Sequence, residues 1–91
     1  MNKSELINTL ALRTNVSIKT SEYVVNTVFD SMSDDLIAGE RIEIRGLGSF
    51  MIREYDGYTG RNPKTGQEVV VKAKRLPFFK VGKELKQRVD I

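Results

Sequence analysis

The chain has neither cysteine nor histidine among its 91 residues. These absences exclude disulfides, thiolate nucleophiles and imidazole bases, and they remove the ligands of nearly every zinc site. No segment approaches the roughly 20 apolar residues of a membrane span, and the N-terminus has no signal-like apolar run. We therefore expect a soluble intracellular protein that is not an enzyme and has no metal, no cofactor and no small-molecule substrate.

Charge is divided unevenly along the chain. Residues 1–40 carry three lysines or arginines against six acidic residues, whereas residues 41–91 carry twelve against six. A basic half beside an acidic half is typical of proteins that bind a polyanion. Nucleic acid is favoured over an anionic membrane because no strongly apolar amphipathic face accompanies the basic residues. A solvated basic surface is the plainer alternative, which charge alone does not exclude.

Two amphipathic helices are predicted in the acidic half. Asn2 and Glu5 form a capping-box pattern at the start of a helix over about Lys3 to Thr14. Ser17 is a good N-cap for a second helix, which should end at Gly39. Apolar residues of this second helix recur at i, i+3, i+4, i+7 and i+11 and predict a core-facing stripe of Val25, Val28, Phe29, Met32 and Leu36.

The apolar period changes from 3.6 to 2 after the second helix. Isoleucines alternate with charged residues over 41–45, which predicts a strand with one buried face. The segment 46–48 makes a tight turn into a second strand that carries Phe50 and Ile52. These elements predict an α+β fold in which a helical hairpin supports an antiparallel sheet of three strands.

The third strand and a short last helix complete the predicted body. Pro77 should lie at an edge or a bend because it cannot donate to a strand ladder, and at least one of Phe78 and Phe79 should be core. The last helix should turn Leu85 and Val89 inward.

A long ribbon with a turn at its tip is the main feature of the basic half. Segments 49–58 and 67–74 have β-leaning composition, and Gly, Asn and Pro cluster between them at 60–66. The chain is long enough for one domain, 1–91, from which an arm of about 54–75 protrudes. Only about 70 residues then remain to form a core, so a partner subunit is expected.

The tip residues suit contact with DNA. Arg61 and Lys64 can bind phosphates or reach into the minor groove, and Pro63 is a rigid apolar wedge that can unstack a base step. Between glycines, Asn-Pro is also an ordinary turn. The basic return strand and the basic last helix favour DNA over that reading.

Three sequence patterns that could suggest a catalytic site do not support one. Lys64-Thr65-Gly66 resembles a β-lactamase element, but the chain has no Ser-x-x-Lys to accompany it. The tip glycines lack phosphate-loop spacing. The acidic pair Asp34 and Asp35 is better explained as a solvated helix face than as a catalytic dyad.

The sequence resembles the bacterial HU and integration host factor family of DNA-bending proteins. The resemblance covers the whole chain and is carried by residues 42–50, by the Gly-Arg-Asn-Pro-x-Thr-Gly tip at 60–66, and by residues 79–86. It implies an intertwined dimer, either of identical chains or with a paralogous subunit, bound to double-stranded DNA in the nucleoid of the bacterial cytoplasm. Two arms would wrap the minor groove with the tip prolines intercalated.

The resemblance and the charge pattern together assign roles to particular residues. DNA-binding residues are expected at the arm tip, the strands and the flank, namely Lys3, Arg45, Arg53, Arg61, Asn62, Pro63, Lys64, Lys72, Lys74, Arg75, Lys80, Lys83 and Lys86. A dimer core is expected from Phe29, Leu47, Phe50 and Phe79.

Other readings stay open at the level of sequence. Glu43 and Arg45 resemble the β subunit of integration host factor, which suggests a sequence-specific subunit acting as a heterodimer in recombination and transcription regulation. Tyr55 and Tyr58 stand where family arms usually have arginine, and Val81 where the family often has proline. The ribbon could alternatively be a protein-docking arm, and structured RNA is a further possible ligand.

Overall fold

The computed structural model describes residues 1–91 as three helices and five strands. The elements in chain order are α1 (Lys3–Thr14), α2 (Ile18–Ile37), β1 (Ile42–Ile44), β2 (Gly48–Tyr55), β3 (Tyr58–Arg61), β4 (Glu68–Val71), β5 (Lys74–Val81) and α3 (Lys83–Val89). α1 packs on α2, and α2 contacts β1 and β2. The arrangement confirms the predicted α+β fold, with a helical hairpin beneath a small sheet.

Both long helices begin at the predicted caps. The Glu5 amide donates to Oδ1 of Asn2 at 2.8 Å, and the Thr20 amide donates to Oγ of Ser17 at 3.1 Å. These bonds satisfy amides that have no partner within the first turn of a helix. The Glu5 side chain does not accept a return bond from the Asn2 amide, so the capping box is incomplete. Asn15 ends α1 in the left-handed region, at φ 53°.

The main sheet has the strand order β1-β2-β5 with antiparallel pairing throughout. Phe50 of β2 pairs with Ile42 on one side and with Phe79 on the other. β5 is an edge strand of this sheet, so the amide that Pro77 lacks costs no ladder bond on the open side. The prediction of an edge position for Pro77 is confirmed.

The ribbon extends from the body and is interrupted once. β3 and β4 form a separate two-stranded sheet, divided from β2 and β5 by residues 56–57 and 72–73. The pairs Tyr55 with Lys74 and Tyr58 with Val71 have the same register, so no residue is inserted at the break. The radius of gyration is 19.4 Å, against about 12 Å for a compact chain of this length.

A single chain buries very little of itself. Only six of 91 residues are buried, among them Ile7, Ala11 and Val25 between the two helices. Contrary to the sequence prediction, neither Phe78 nor Phe79 is buried, because one helical hairpin covers only part of the sheet. Val89 was also expected to point inward, yet it is 72% exposed on the short α3.

Gly48 is required at the inner end of the β2–β5 ladder, where it pairs with Val81. A Cβ built at this residue meets the carbonyl oxygen of Lys80 and lies 2.7 Å from the ring of Phe79, and the backbone φ is +155°. Real Cβ atoms do not approach neighbours this closely. The glycine therefore lets the two strands approach each other at the base of the ribbon.

We expect Gly48→Ala to destabilise the protein by about 3 kcal/mol, because either the backbone or Phe79 must move. Gly60→Ala is the matched control, since its new Cβ has no neighbour closer than 3.6 Å. Denaturant unfolding of both variants measures the effect. Equal stability of Gly48→Ala and the unmodified protein would contradict the close approach of the strands.

Candidate nucleic-acid interface

The arm tip is an ordered loop closed by hydrogen bonds. The Gly66 amide donates to the Asn62 carbonyl at 2.7 Å, and the Asn62 amide donates to the Gln67 carbonyl at 2.8 Å. The Asn62 side chain accepts from the Lys64 amide at 2.9 Å. Gly66 supplies the left-handed conformation, at φ 71°, that returns the chain to β4.

Pro63 lies at the apex of this loop and is exposed. Its two neighbours are fixed, since Asn62 is bonded across the loop and Lys64 is bonded to the Asn62 side chain. Arg61 is the last residue of β3 and is exposed beside the loop, as is Lys64. The structure therefore presents a rigid ring with a cation on each side of it at the far end of an extended arm.

The main sheet has two chemically different faces. The helix side carries Phe50, Ile52, Pro77 and Phe79, because cross-strand partners and alternate residues share a face. Ile52 and Pro77 border a groove together with Leu36 of α2, which identifies this face as the covered one. The other face, here called the outer face, carries Ser49, Met51, Arg53, Tyr55, Lys74, Leu76, Phe78 and Lys80.

Basic side chains of the outer face contact aromatic rings. The guanidinium carbon of Arg53 lies 3.5 Å from the centre of the Phe78 ring. The ammonium nitrogen of Lys74 lies 5.6 Å from the centre of the Tyr55 ring. Arg41, which precedes β1, donates to Oγ of Ser49 at 3.2 Å. Cations from three segments of the chain, namely β2, β5 and the residue before β1, therefore lie on or beside the outer face.

Arg75 differs from the other predicted DNA-binding residues of the strands. It lies on the helix side, where its Nε is 3.6 Å from a carboxylate oxygen of Glu54. This is the one salt bridge in the structure. Because its charge is partly neutralised and directed away from the outer face, Arg75 is a poorer candidate for phosphate contact than Arg53 or Lys74.

The remaining predicted residues are exposed but spread over the molecule. Lys80 is on β5, and Lys83 and Lys86 follow on α3, so these three form one basic flank. Lys72 lies in the break of the ribbon, and Arg45 lies in the turn after β1. Lys3 is the first residue of α1 and is exposed.

Arg41 and Phe78 were not among the predicted site residues. The charged alternation over 41–45 placed Arg41 on an exposed face, which was the available signal for its position. Phe78 could not be distinguished from Phe79 by sequence, because the side of an edge strand that a helix covers depends on the tertiary arrangement.

No helix is both long and apolar enough to cross a membrane. The structure contains no cluster of acidic residues arranged to hold a metal ion.

Comparison with known proteins identifies relatives over the whole chain. A family model described as bacterial DNA-binding protein matches residues 1–90. The chain is 48% identical over 92 residues to integration host factor subunit beta of Bordetella petrii, covering 100% of this chain and 77% of that protein. It is 51% identical over 92 residues to the same subunit of Azoarcus sp., covering 100% of this chain and 98% of that protein.

Two solved structures with this architecture are HU proteins. The HU chain of an Anabaena HU–DNA cocrystal structure matches with a TM-score of 0.83 at 32% identity, covering 98% of this chain and 97% of that one. HU from Thermotoga maritima matches with a TM-score of 0.67 at 28% identity, covering 98% of each chain.

The tip geometry predicts a role for the Asn62 side chain. Asn62→Ala removes the acceptor of the Lys64 amide, so that amide should exchange its hydrogen about twofold to tenfold faster, the range expected for one exposed hydrogen bond. The unfolding temperature should not change, because the tip lies at the far end of the arm from the body. Amide exchange followed by nuclear magnetic resonance measures the rate.

Asn62→Asp is the matched control because it keeps an acceptor oxygen at the same position, and it should exchange at close to the original rate. Unaltered exchange in Asn62→Ala would show that the side-chain bond does not hold the loop.

Proposed function

The chain belongs to the family of bacterial DNA-binding proteins that includes HU and integration host factor, and we propose that it bends duplex DNA by inserting Pro63 into the minor groove. As a member of this family it is an architectural DNA-binding protein. The observation that carries the bending proposal is an exposed Pro63 on an ordered loop at the end of an extended arm. We propose that it acts at the nucleoid and has no catalytic role.

The energetics of bending require a second basic surface. Architectural proteins, of which HU and integration host factor are themselves standard examples, unstack base steps at a cost of about a few kcal/mol per step. The cost is recovered only when the bent duplex meets further protein contacts. We propose that the flank formed by Lys80, Lys83 and Lys86, at the end of β5 and on α3, is the surface that a duplex curving back from the arm tip meets.

The proposed DNA-contact surface has three parts. Arg61, Asn62, Pro63 and Lys64 form the tip. The outer face and the ribbon break contribute Arg53, Lys72 and Lys74, and the body contributes Lys3, Arg45, Lys80, Lys83 and Lys86. Arg75 is left out because it is paired with Glu54 on the helix side.

Pro63→Ala tests the wedge. It removes the rigid ring and leaves the basic residues in place, so the bend angle should decrease more than the affinity does. Fluorescence transfer between dyes at the two ends of a duplex reports the bend, and titration of the same duplex reports the affinity.

Pro77→Ala is the matched control, because Pro77 is the other proline of the chain and lies in the main sheet, remote from the tip. It should leave the bend unchanged. If Pro63→Ala bends DNA as strongly as the unmodified protein, the proline is a turn residue and the wedge proposal is wrong.

We further propose that the working form is a dimer, as family members form. A groove between α1 and α2 is lined entirely by apolar side chains, namely Leu6, Leu10, Val24, Val25, Val28 and Phe29. Phe29, Leu47 and Phe79 are each about 40% exposed in one chain. Large apolar side chains that are exposed together in this way are typical of a protein interface. These residues, with the half-buried Phe50, are the proposed dimer core.

The dimer can be tested by mass and by unfolding. The unfolding temperature should rise with protein concentration, because a second chain stabilises only the folded state. Phe29→Asp should give single chains that unfold at a lower temperature, since it places an unpaired charge in the interface. Leu12→Asp is the control, because Leu12 is 84% exposed on α1 and is not part of the groove.

A heterodimer is the second candidate, favoured by relatives that are named as subunit beta of integration host factor. The purified chain would then remain a single chain at concentrations where a homodimer forms, and it would gain stability on mixing with a paralogous subunit. A stable mass of two identical chains would instead favour the homodimer.

A further inference from the structure

Two cation–aromatic pairs lie side by side on the outer face, where the arm leaves the body. Met51 pairs with Phe78 in the ladder and Tyr55 pairs with Lys74, so Arg53 and Lys74 are diagonal neighbours on one face. Diagonal neighbours in an antiparallel pair lie about 7–8 Å apart. Each of these two cations has an aromatic ring beside it and no carboxylate partner.

We propose that Phe78 and Tyr55 are positioning residues that hold Arg53 and Lys74 ready to bind DNA phosphates at the root of the arm. This inference rests on the DNA-binding function proposed above and deepens it by assigning a role to two rings that carry no charge.

The distance at Phe78 fixes how the guanidinium is oriented. Its carbon is 3.5 Å from the ring centre, which is already van der Waals contact. A guanidinium perpendicular to the ring would bring one or two nitrogens roughly 0.7–1.3 Å closer, depending on its rotation, and would clash. Arg53 is therefore stacked on Phe78, which leaves the in-plane N–H groups directed outward for a bidentate contact with phosphate.

The ring of Phe78 is not required by the covered side of the sheet. There Phe79 supplies the aromatic contact, with its ring centre 4.8 Å from that of Phe50. Phe78 is half-buried on the opposite face, and Tyr55 is 43% exposed. Arg75 shows the contrasting arrangement, in which the cation contacts a carboxylate rather than a ring, and the negative charge of Glu54 offsets part of its field.

Pre-arrangement favours binding because it lowers the entropy lost when long side chains are ordered on a phosphate. A ring does this without cancelling the charge, whereas an acidic partner would compete with the phosphate. Truncating the ring should therefore weaken DNA binding only through the cation that the ring holds.

The experiment is a double-mutant cycle on duplex DNA with the full-length protein, measured over a series of salt concentrations. Arg53→Gln should lower the slope of log affinity against log salt by roughly 0.9 for each phosphate that Arg53 neutralises, counted per arm. Phe78→Leu should weaken binding about twofold to fivefold when Arg53 is present, and should have no further effect in the Arg53→Gln background. Phe78→Tyr should retain the affinity because it keeps the ring.

Controls separate positioning from stability. Arg75→Gln should change the slope by less than half as much as Arg53→Gln, because Arg75 is paired on the other face. The pair of Tyr55 and Lys74 is tested in the same way. Tyr55→Leu removes the ring, and Tyr55→Phe keeps it. Thermal unfolding of each variant monitors the fold.

The outcomes distinguish the two proposals. If the unmodified protein binds and bends DNA but Phe78→Leu loses the same affinity in both backgrounds, the ring acts only in packing and this inference is wrong. The inference is also wrong if Phe78→Leu leaves the affinity unchanged in both backgrounds. If the unmodified protein fails to bind DNA at low salt, the proposed function is wrong and this inference is wrong with it.

Discussion

The antiparallel pairing of β2 with β5 is the interaction on which the rest of this structure depends. It runs without interruption from Gly48 and Val81 to Tyr55 and Lys74. Its inner end is set by the close approach at Gly48, and its outer end supports the arm. The alternation of the same two strands separates a covered face from an outer face. One backbone ladder therefore determines both where the arm leaves the body and which cations are available to a ligand.

The second constraint is the shortage of buried surface. An arm that extends from a chain of this size removes residues from the core, and the remaining helices and sheet bury only six residues. As a result, apolar surface stays uncovered in a single chain. It includes the groove between α1 and α2 and the rings of Phe29 and Phe79. A long arm and a self-sufficient core are in opposition in a chain of this length, and the proposed dimer is an arrangement that satisfies both.

The local elements were predictable because their signals are local. Asn2 and Ser17 cap the helices, and the turn at 46–48 and the tip at 60–66 lie where their glycines indicate. The break at 56–57 and 72–73 was not predicted as a break, because it depends on how the ribbon leaves the sheet. The pairing of Arg75 with Glu54 and the stacking of Arg53 on Phe78 were also missed. Such contacts depend on cross-strand register, which composition alone does not determine.

The interruption of the ribbon at 56–57 and 72–73 divides the arm into two paired segments. The strands stay in step across the interruption, and Gly57 sits close to the opposite backbone, where an added Cβ would lie 2.9 Å from the Val71 carbonyl oxygen. The outer segment therefore continues the pairing of the inner one in the same register, although the two segments belong to separate sheets. The tip residues are thus held in a fixed register relative to the body, so a one-residue slip of β2 against β5 would also displace the two sides of the tip.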